Sequence, residues 1–180
     1  MAQILDAAVD ALVSDPEANM AEIARRAGVV RATVYVHFPT REALIAAVTE
    51  RAVTEVAEVI EGAEPDRGEP AEALARLIAT AWQTMGRYHP LVAINKGLPQ
   101  EELHARHGPV LGSLEPLIER GQRGGAFRDD VPAAWHLAMI LALVHAASGV
   151  LDAGHGTPET IEPALVATVL GAVGSRKRRS

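Results

Sequence analysis

The sequence predicts an all-α protein, with an N-terminal three-helix unit followed by a larger helical domain. Three observations carry this reading. Apolar residues recur at helical spacing nearly throughout, and no strand-like alternation of convincing length occurs. In addition, two short helical segments near the N-terminus are separated only by a tight glycine turn, the signature of a helix-turn-helix.

The elements follow in order. Ile4, Leu5, Ala8, Val9 and Leu12 share one face of a first helix, which Asp15-Pro16-Glu17 ends. Asn19 and Glu22 have capping-box spacing and open a second helix from about Met20 to Ala27, with Ile23, Ala24 and Ala27 inward. Gly28 stands where a helix needs a left-handed residue just past its end. A third helix, about Arg31–His37, is closed by Phe38-Pro39-Thr40, and Thr40 caps a long helix reaching about Glu61.

Gly62–Pro70 (GAEPDRGEP) has the composition of a linker. An apolar stripe then runs through Leu74, Leu77, Ile78, Ala81, Trp82, Met85 and Tyr88 and ends at His89-Pro90. Residues 91–108 read as irregular. Pro109–Arg123 reads as a helix that Pro116 should kink, and Gly124-Gly125 stops it. Asp129 or Asp130 as cap and Pro132 at the first helical position predict a helix over about 131–152. A last helix covers about Pro158–Val173. The domains are expected at 1–48 and 49–175, with the linker at about 62–70 and a basic tail at 176–180.

The 180 residues suit one or two small domains. At 48% hydrophobic and 22% charged residues the chain is foldable rather than disordered. The absence of cysteine excludes disulfides, thiolate metal sites and thiol nucleophiles. No unbroken run of about 20 apolar residues is present, so no membrane span is expected. The first residues lack signal-peptide character, so the expected location is cytoplasmic. There is no serine-centred elbow, phosphate loop, paired-carboxylate motif or metal signature, so an enzyme is not expected.

Net charge is −6, but its distribution is uneven. Residues 20–41 carry Arg25, Arg26, Arg31 and Arg41 against Glu22 alone, while the following segment is strongly acidic. A small basic segment in an acidic chain points to a local anionic partner. In the third helix Thr33 and His37 lie four apart on one face, Tyr35 lies to the side, and Val34 and Phe38 are spaced to pack inward. Arg31 and Thr33 sit where a second helix-turn-helix helix meets base edges. Arg41, opening the next helix, suits a phosphate.

The two late helices are apolar nearly all round: Ala138–Val144 without a break, Ala164–Val173 with only Thr168 and Gly171. Such helices must be buried on more than one side, which predicts a homodimer, with burial wholly inside one monomer as the alternative. Ala142, Ala146 and Gly149 would allow close approach.

Residues 4–48 resemble the N-terminal domain of the tetracycline-repressor (TetR) family of bacterial transcriptional regulators. The resemblance rests on Ile-Ala-x-x-Ala-Gly-Val at 23–29, Thr-x-Tyr-x-His-Phe at 33–38 and Arg-Glu-x-Leu at 41–44. The stretch Glu119–Arg128 resembles one frequent in the family's ligand-binding halves. The resemblance implies an N-terminal DNA-binding domain and a C-terminal ligand-binding and dimerisation domain. It implies a homodimer on a palindromic double-stranded operator, usually repressing, released by a small-molecule effector. By position, Arg31, Ala32 and Thr33 would face bases, and Tyr35, His37 and Arg41 would hold the DNA backbone.

There are departures. Val30 stands where the family usually has a Ser or Thr cap, leaving an amide of the third helix to water or phosphate. Only three residues precede the first helix, where the family commonly carries a basic arm; either the sequence is truncated there or the DNA contact is smaller. The Arg176–Arg179 tail reads as solvated, with an anion contact as the alternative. The short arm keeps open a second reading, a dimeric helical ligand-binding protein without DNA binding.

Candidate ligand-binding residues lie on two stripes, Trp82, Met85 and His89 on one and Trp135, His136 and Met139 on the other. Aromatic and thioether groups adapt to irregular apolar ligands. The expected effector is therefore mostly apolar or aromatic, bound between the helices carrying the two tryptophans. A metal site could use His104 with His107, or His136 and His145, helped by His89, Glu101 or Glu102. Nothing in the spacing converges them, so no metal or cofactor is expected. The expected switch is a swing of the helix that begins at Thr40, changing the separation of the two recognition helices from the roughly 34–36 Å that two half-sites require.

Overall fold

The computed structural model describes residues 1–88 and 105–175. His89, Glu101, Glu102, His104 and the tail 176–180 lie outside the described residues. Among those described are eight α-helices and no strand.

Helix α1 (Ala2–Ser14) buries Ile4, Ala8, Val9 and Leu12. Helix α2 (Met20–Arg26) is capped by Asn19, whose Oδ1 accepts from the amides of Ala21 and Glu22 at 3.0 and 3.1 Å. The reciprocal half of the capping box does not form. Glu22 instead accepts from Arg25 at 2.7 Å and Arg26 at 2.8 Å. Two charge-assisted bonds outcompete one to a neutral amide. They hold the Glu22 carboxyl at about 2, the hydrogen bond from Arg25 contributing most. Gly28 takes φ +65°, letting Val29 N–H return to the Ala24 carbonyl and turn the chain into α3 (Arg31–His37). Helix α4 (Arg41–Gly62) starts with Thr40 Oγ1 accepting from Ala43 N–H at 3.1 Å.

Helix α4 belongs to both cores. Its first half puts Leu44, Ile45, Val48 and Ala52 among the buried residues of α1–α3. Its second half puts Val56 and Ile60 among those of the C-terminal helices. These are α5 (Pro70–Met85), α6 (Gly108–Arg123), α7 (Ala133–Asp152) and α8 (Pro158–Val173). A single 3-10 turn, Gly86–Tyr88, follows α5.

The linker-like stretch after α4 is a pinned turn. Glu64 and Gly68 have positive φ. Arg76 donates to the carbonyls of Ala63, Glu64 and Arg67, and Arg120 to those of Pro65 and Gly68. Two buttressing guanidiniums thus satisfy the carbonyls that a helix end and a turn leave open.

Helix α6 runs through Pro116 without ending there. Near its end Gly121 leaves room for the Phe127 ring: a Cβ on Gly121 would lie 2.0 Å from Phe127 Cδ2. Helix α7 begins at Ala133, with Pro132 as its cap residue rather than its first helical residue. Asp130 does not cap it, because both its oxygens are held by Arg128 at 2.5 and 2.6 Å.

Helix α7 is, by length and composition alone, apolar enough to cross a membrane, a test that the core helix of a soluble protein also passes. Its apolar run is interrupted by His136, His145 and Ser148, so it does not meet the criterion of an unbroken apolar stretch. His136 and Ser148 are buried inside the fold, and the outer ridge of α7 is Ala134, Ala138, Ala142 and Ala146.

Candidate DNA interface and ligand cavity

Helix α3 is anchored by Val34, which is 0% exposed, and by Phe38 just beyond it. That leaves Arg31, Ala32, Tyr35, Val36 and His37 on the surface and Thr33 half-buried. Arg31 Nη2 donates to the Tyr35 hydroxyl at 2.9 Å, one helical turn away. Val30 caps nothing with its side chain; its carbonyl accepts from Thr33 N–H at 2.9 Å.

The four arginines of the basic segment all have partners within the chain. Arg25 and Arg26 share Glu22, and Arg26 also donates to the Asp10 carbonyl and Ser14 Oγ. Arg41 donates from Nε to the Ala18 carbonyl at 3.1 Å and from Nη2 to the Pro16 carbonyl at 2.5 Å. It therefore braces the α1–α2 turn against the start of α4. A guanidinium has five N–H donors, so two bonds do not exhaust it.

In the C-terminal half, α4, α5, α6 and α7 line a cavity of about 300 Å³. Its wall is mainly aliphatic, with Trp82 and Met85 among its residues. Polar groups are few: Thr49 and Tyr88 on the side of the N-terminal domain, and Arg106, His107 and His145 from α7 and the approach to α6. The His107 and His145 rings meet edge to face, centroids 5.5 Å apart. Burial, and secondarily the neighbouring His107, hold the His145 imidazole below its ordinary pKa.

The structure separates the sequence-predicted ligand residues. Trp82 and Met85 are on the cavity wall, whereas Trp135, His136 and Met139 line a second depression of about 240 Å³. His136 is buried with Nε2 3.0 Å from the Arg128 carbonyl, and Trp135 is 61% exposed. The reason is helical phase. At about 100° per residue, the cavity-facing stripe of α7 is Leu137, Ile140, Leu141, Val144 and His145, and positions 135, 136 and 139 turn away from it. The sequence signal for His145 was present, since 137, 140, 141, 144 and 145 are i, i+3, i+4, i+7 and i+8. His107 had no such signal, because its meeting with His145 spans two helical segments. Among the described residues no group of three or more acidic or His side chains is arranged to hold a metal ion.

One polar chain joins the cavity to α1. The Tyr88 hydroxyl donates to Glu55, Glu55 accepts from Arg51 Nε at 2.9 Å, and Arg51 Nη2 reaches Asp6 at 2.6 Å. Asp6 and Glu55 push the Arg51 guanidinium pKa up. Tyr88 is buried in the N-terminal core while also lining the cavity. Sequence reading placed Tyr88 only on an apolar stripe.

Residues 4–48 match the family described as bacterial regulatory proteins, tetR family. The HTH-type transcriptional regulator NfxB of Pseudomonas aeruginosa is 30% identical over 156 residues, covering 84% of this chain and 80% of that protein. The HTH-type transcriptional repressor LfrR of Mycolicibacterium smegmatis is 28% identical over 143 residues, covering 79% and 74%. Its structure in complex with proflavine has a TM-score of 0.71 at 24% identity, covering 97% of this chain and 96% of that one. The Bacillus subtilis regulator FadR, in complex with stearoyl-CoA, shares the fold with a TM-score of 0.76 at 18% identity, covering 95% and 98%. A helix-turn-helix on α2 and α3, a helical domain lining a cavity, and a relative of this identity and coverage lead to one assignment: the chain belongs to the TetR family of bacterial transcriptional regulators.

Proposed function

We propose that the protein is a repressor that binds a palindromic operator as a homodimer and leaves it when a small, mostly apolar molecule fills the cavity. The observation that carries this reading is the cavity's position: it is walled by α4 and Tyr88, both of which also belong to the core of the DNA-binding half. A ligand that favours one placement of α4 or Tyr88 shifts the population of DNA-competent states by its differential affinity for them.

On DNA, Arg31, Ala32 and Thr33 face bases, and Tyr35 and His37 hold the backbone. The donors that Arg41 does not spend on Pro16 and Ala18 add a phosphate contact at the start of α4. In the cavity Trp82 and Met85 contact the apolar body of the effector, and His107 and His145 meet its polar end. These two take the role expected of His136, which points elsewhere. LfrR, named a repressor and solved with proflavine, supports an aromatic effector and a repressing role.

The mate is seated on α7 and α8. The ridge Ala134, Ala138, Ala142 and Ala146 is exposed, as are Ala164, Ala167 and Gly171, with no charge among them. Small residues let helices approach closely, and a two-fold pairing of such a face is self-complementary. The α7 membrane-like composition is explained the same way, by burial against protein.

The test is protection mapping on DNA flanking the gene for this chain, run beside sedimentation and a Trp-fluorescence screen of apolar and aromatic compounds. Protection of a two-fold symmetric site, lost on adding a screened compound, is the expected result. Compound binding by a dimer that protects no DNA would instead favour a ligand-binding protein without DNA binding.

A further inference from the structure

The outermost ridge of α3 carries no hydrogen-bonding side chain. If fully buried Val34 defines the inward direction, Ala32 and Val36 each lie within about 20° of directly outward, one turn apart. Val36 is 78% exposed and Val30, just before the helix, 71%. The polar side chains sit on the flanks. Arg31 and Tyr35 are on one side, bonded to each other, and Thr33 and His37 are on the other. A β-branched residue held out in water gains nothing from burial and is a mediocre helix former, so folding gives no reason for valine at 36.

A helix lying in the major groove presents this ridge to the base edges. Apolar side chains there meet no complementary donor or acceptor. The groove offers one apolar feature, the 5-methyl group of thymine. We propose that Val36, with Ala32 beside it, reads thymine methyl groups, so that each operator half-site carries a thymine beneath the centre of α3. This rests on the DNA-binding reading above and adds a base preference that the charged and polar residues of α3 do not supply. The flanking residues then fix the register: Arg31 on one side, Thr33 and His37 on the other.

The experiment uses the full chain. Duplexes are first selected from a randomised library. In the recovered site each thymine is then replaced by deoxyuridine, symmetrically in both half-sites, which removes a methyl group and leaves base pairing intact. Losing one methyl contact is worth about fourfold in affinity per half-site, and about fifteenfold for both. One or two thymine positions are expected to show that loss, and Val36→Ala is expected to erase the thymine–uracil difference there. Val36 is exposed, so the variant should keep its circular dichroism and melting temperature. Uridine tolerated at every position overturns the proposal. So does a Val36→Ala variant that weakens thymine and uracil duplexes equally. Selection of no duplex at all overturns the DNA-binding reading and this proposal with it, which is a distinct result from selection followed by indifference to the methyl groups.

Discussion

The Tyr88 hydroxyl and the Glu55 carboxylate are hydrogen-bonded at the seam between the two halves of the molecule, Tyr88 at the cavity wall and Glu55 beside Arg51. Arg51 also holds Asp6 of α1, so a chain of polar contacts runs from Tyr88 to α1. Allosteric coupling between ligand and DNA is typically 5- to 150-fold and must be reciprocal. Tyr88→Phe keeps the ring and removes the link. It should leave each affinity nearly unchanged when the other partner is absent, while reducing the coupling several-fold. The measurement is Trp82 fluorescence with a compound from the screen, with and without DNA, in a Trp135→Phe background.

Arg31→Ala is expected to cost about 1–3 kcal/mol on a selected site and much less on a scrambled duplex, if the residue reads a base. Equal losses on both would make it a phosphate contact. Arg41→Ala should show two effects. The salt dependence of binding should flatten by about one unit of slope. The melting temperature should also fall, because the brace to Pro16 and Ala18 is gone.

Ala142→Arg or Ala146→Arg places a charge on the ridge assigned to the mate. Burying an unpaired charge is costly enough to block pairing. Since both positions are exposed within one chain, the variants should fold and sediment as monomers. A wild type that is already monomeric at micromolar concentration would remove the interface altogether.

Gly121→Ala should destabilise the C-terminal half, because its new methyl would collide with Phe127. Overpacking of this kind costs about 1–3 kcal/mol. For a chain of this size that corresponds to a fall of roughly 2–4 °C per kcal/mol in melting temperature. In a Phe127→Leu background the same change should cost less, a coupling that a double-mutant cycle measures.

The ligand-free protein should lose stability as pH falls below neutrality. A histidine whose folded pKa lies below its unfolded value takes up its proton more readily once the chain unfolds. Its stabilising effect is therefore complete above the ordinary imidazole pKa of 6.5 and is lost as pH drops below it. His145 is in this position, since burial disfavours its charged form. Thermal melts between pH 7.5 and about 5 should show the decline, and His145→Gln should flatten it.

What could be read in the sequence was what acts over a few residues. Asn19, Gly28 and Thr40 do in space what their neighbours imply, because caps and left-handed turns are decided within about four positions. Glu22 and Asp130 went to other partners because an arginine within four residues offered a stronger bond than a helix amide. The lining of the cavity was half legible. Trp82 and Met85 follow from the phase of α5, but on α7, which is apolar on nearly every side, pattern alone does not say which face looks inward. The Asp6–Arg51–Glu55–Tyr88 chain was not legible, since it joins residues up to 82 positions apart and no local rule links them.

The shared helix α4 makes the molecule poorly modular. A fragment ending at residue 48 would shed Ala52 and Tyr88, both buried in the N-terminal core. Anyone transplanting this DNA-reading head onto a foreign sensor would have to carry the graft through the first half of α4 and supply an aromatic ring from the recipient in the place of Tyr88. Recombination at the apparent sequence boundary would yield chimaeras with a hole where the two halves interlock.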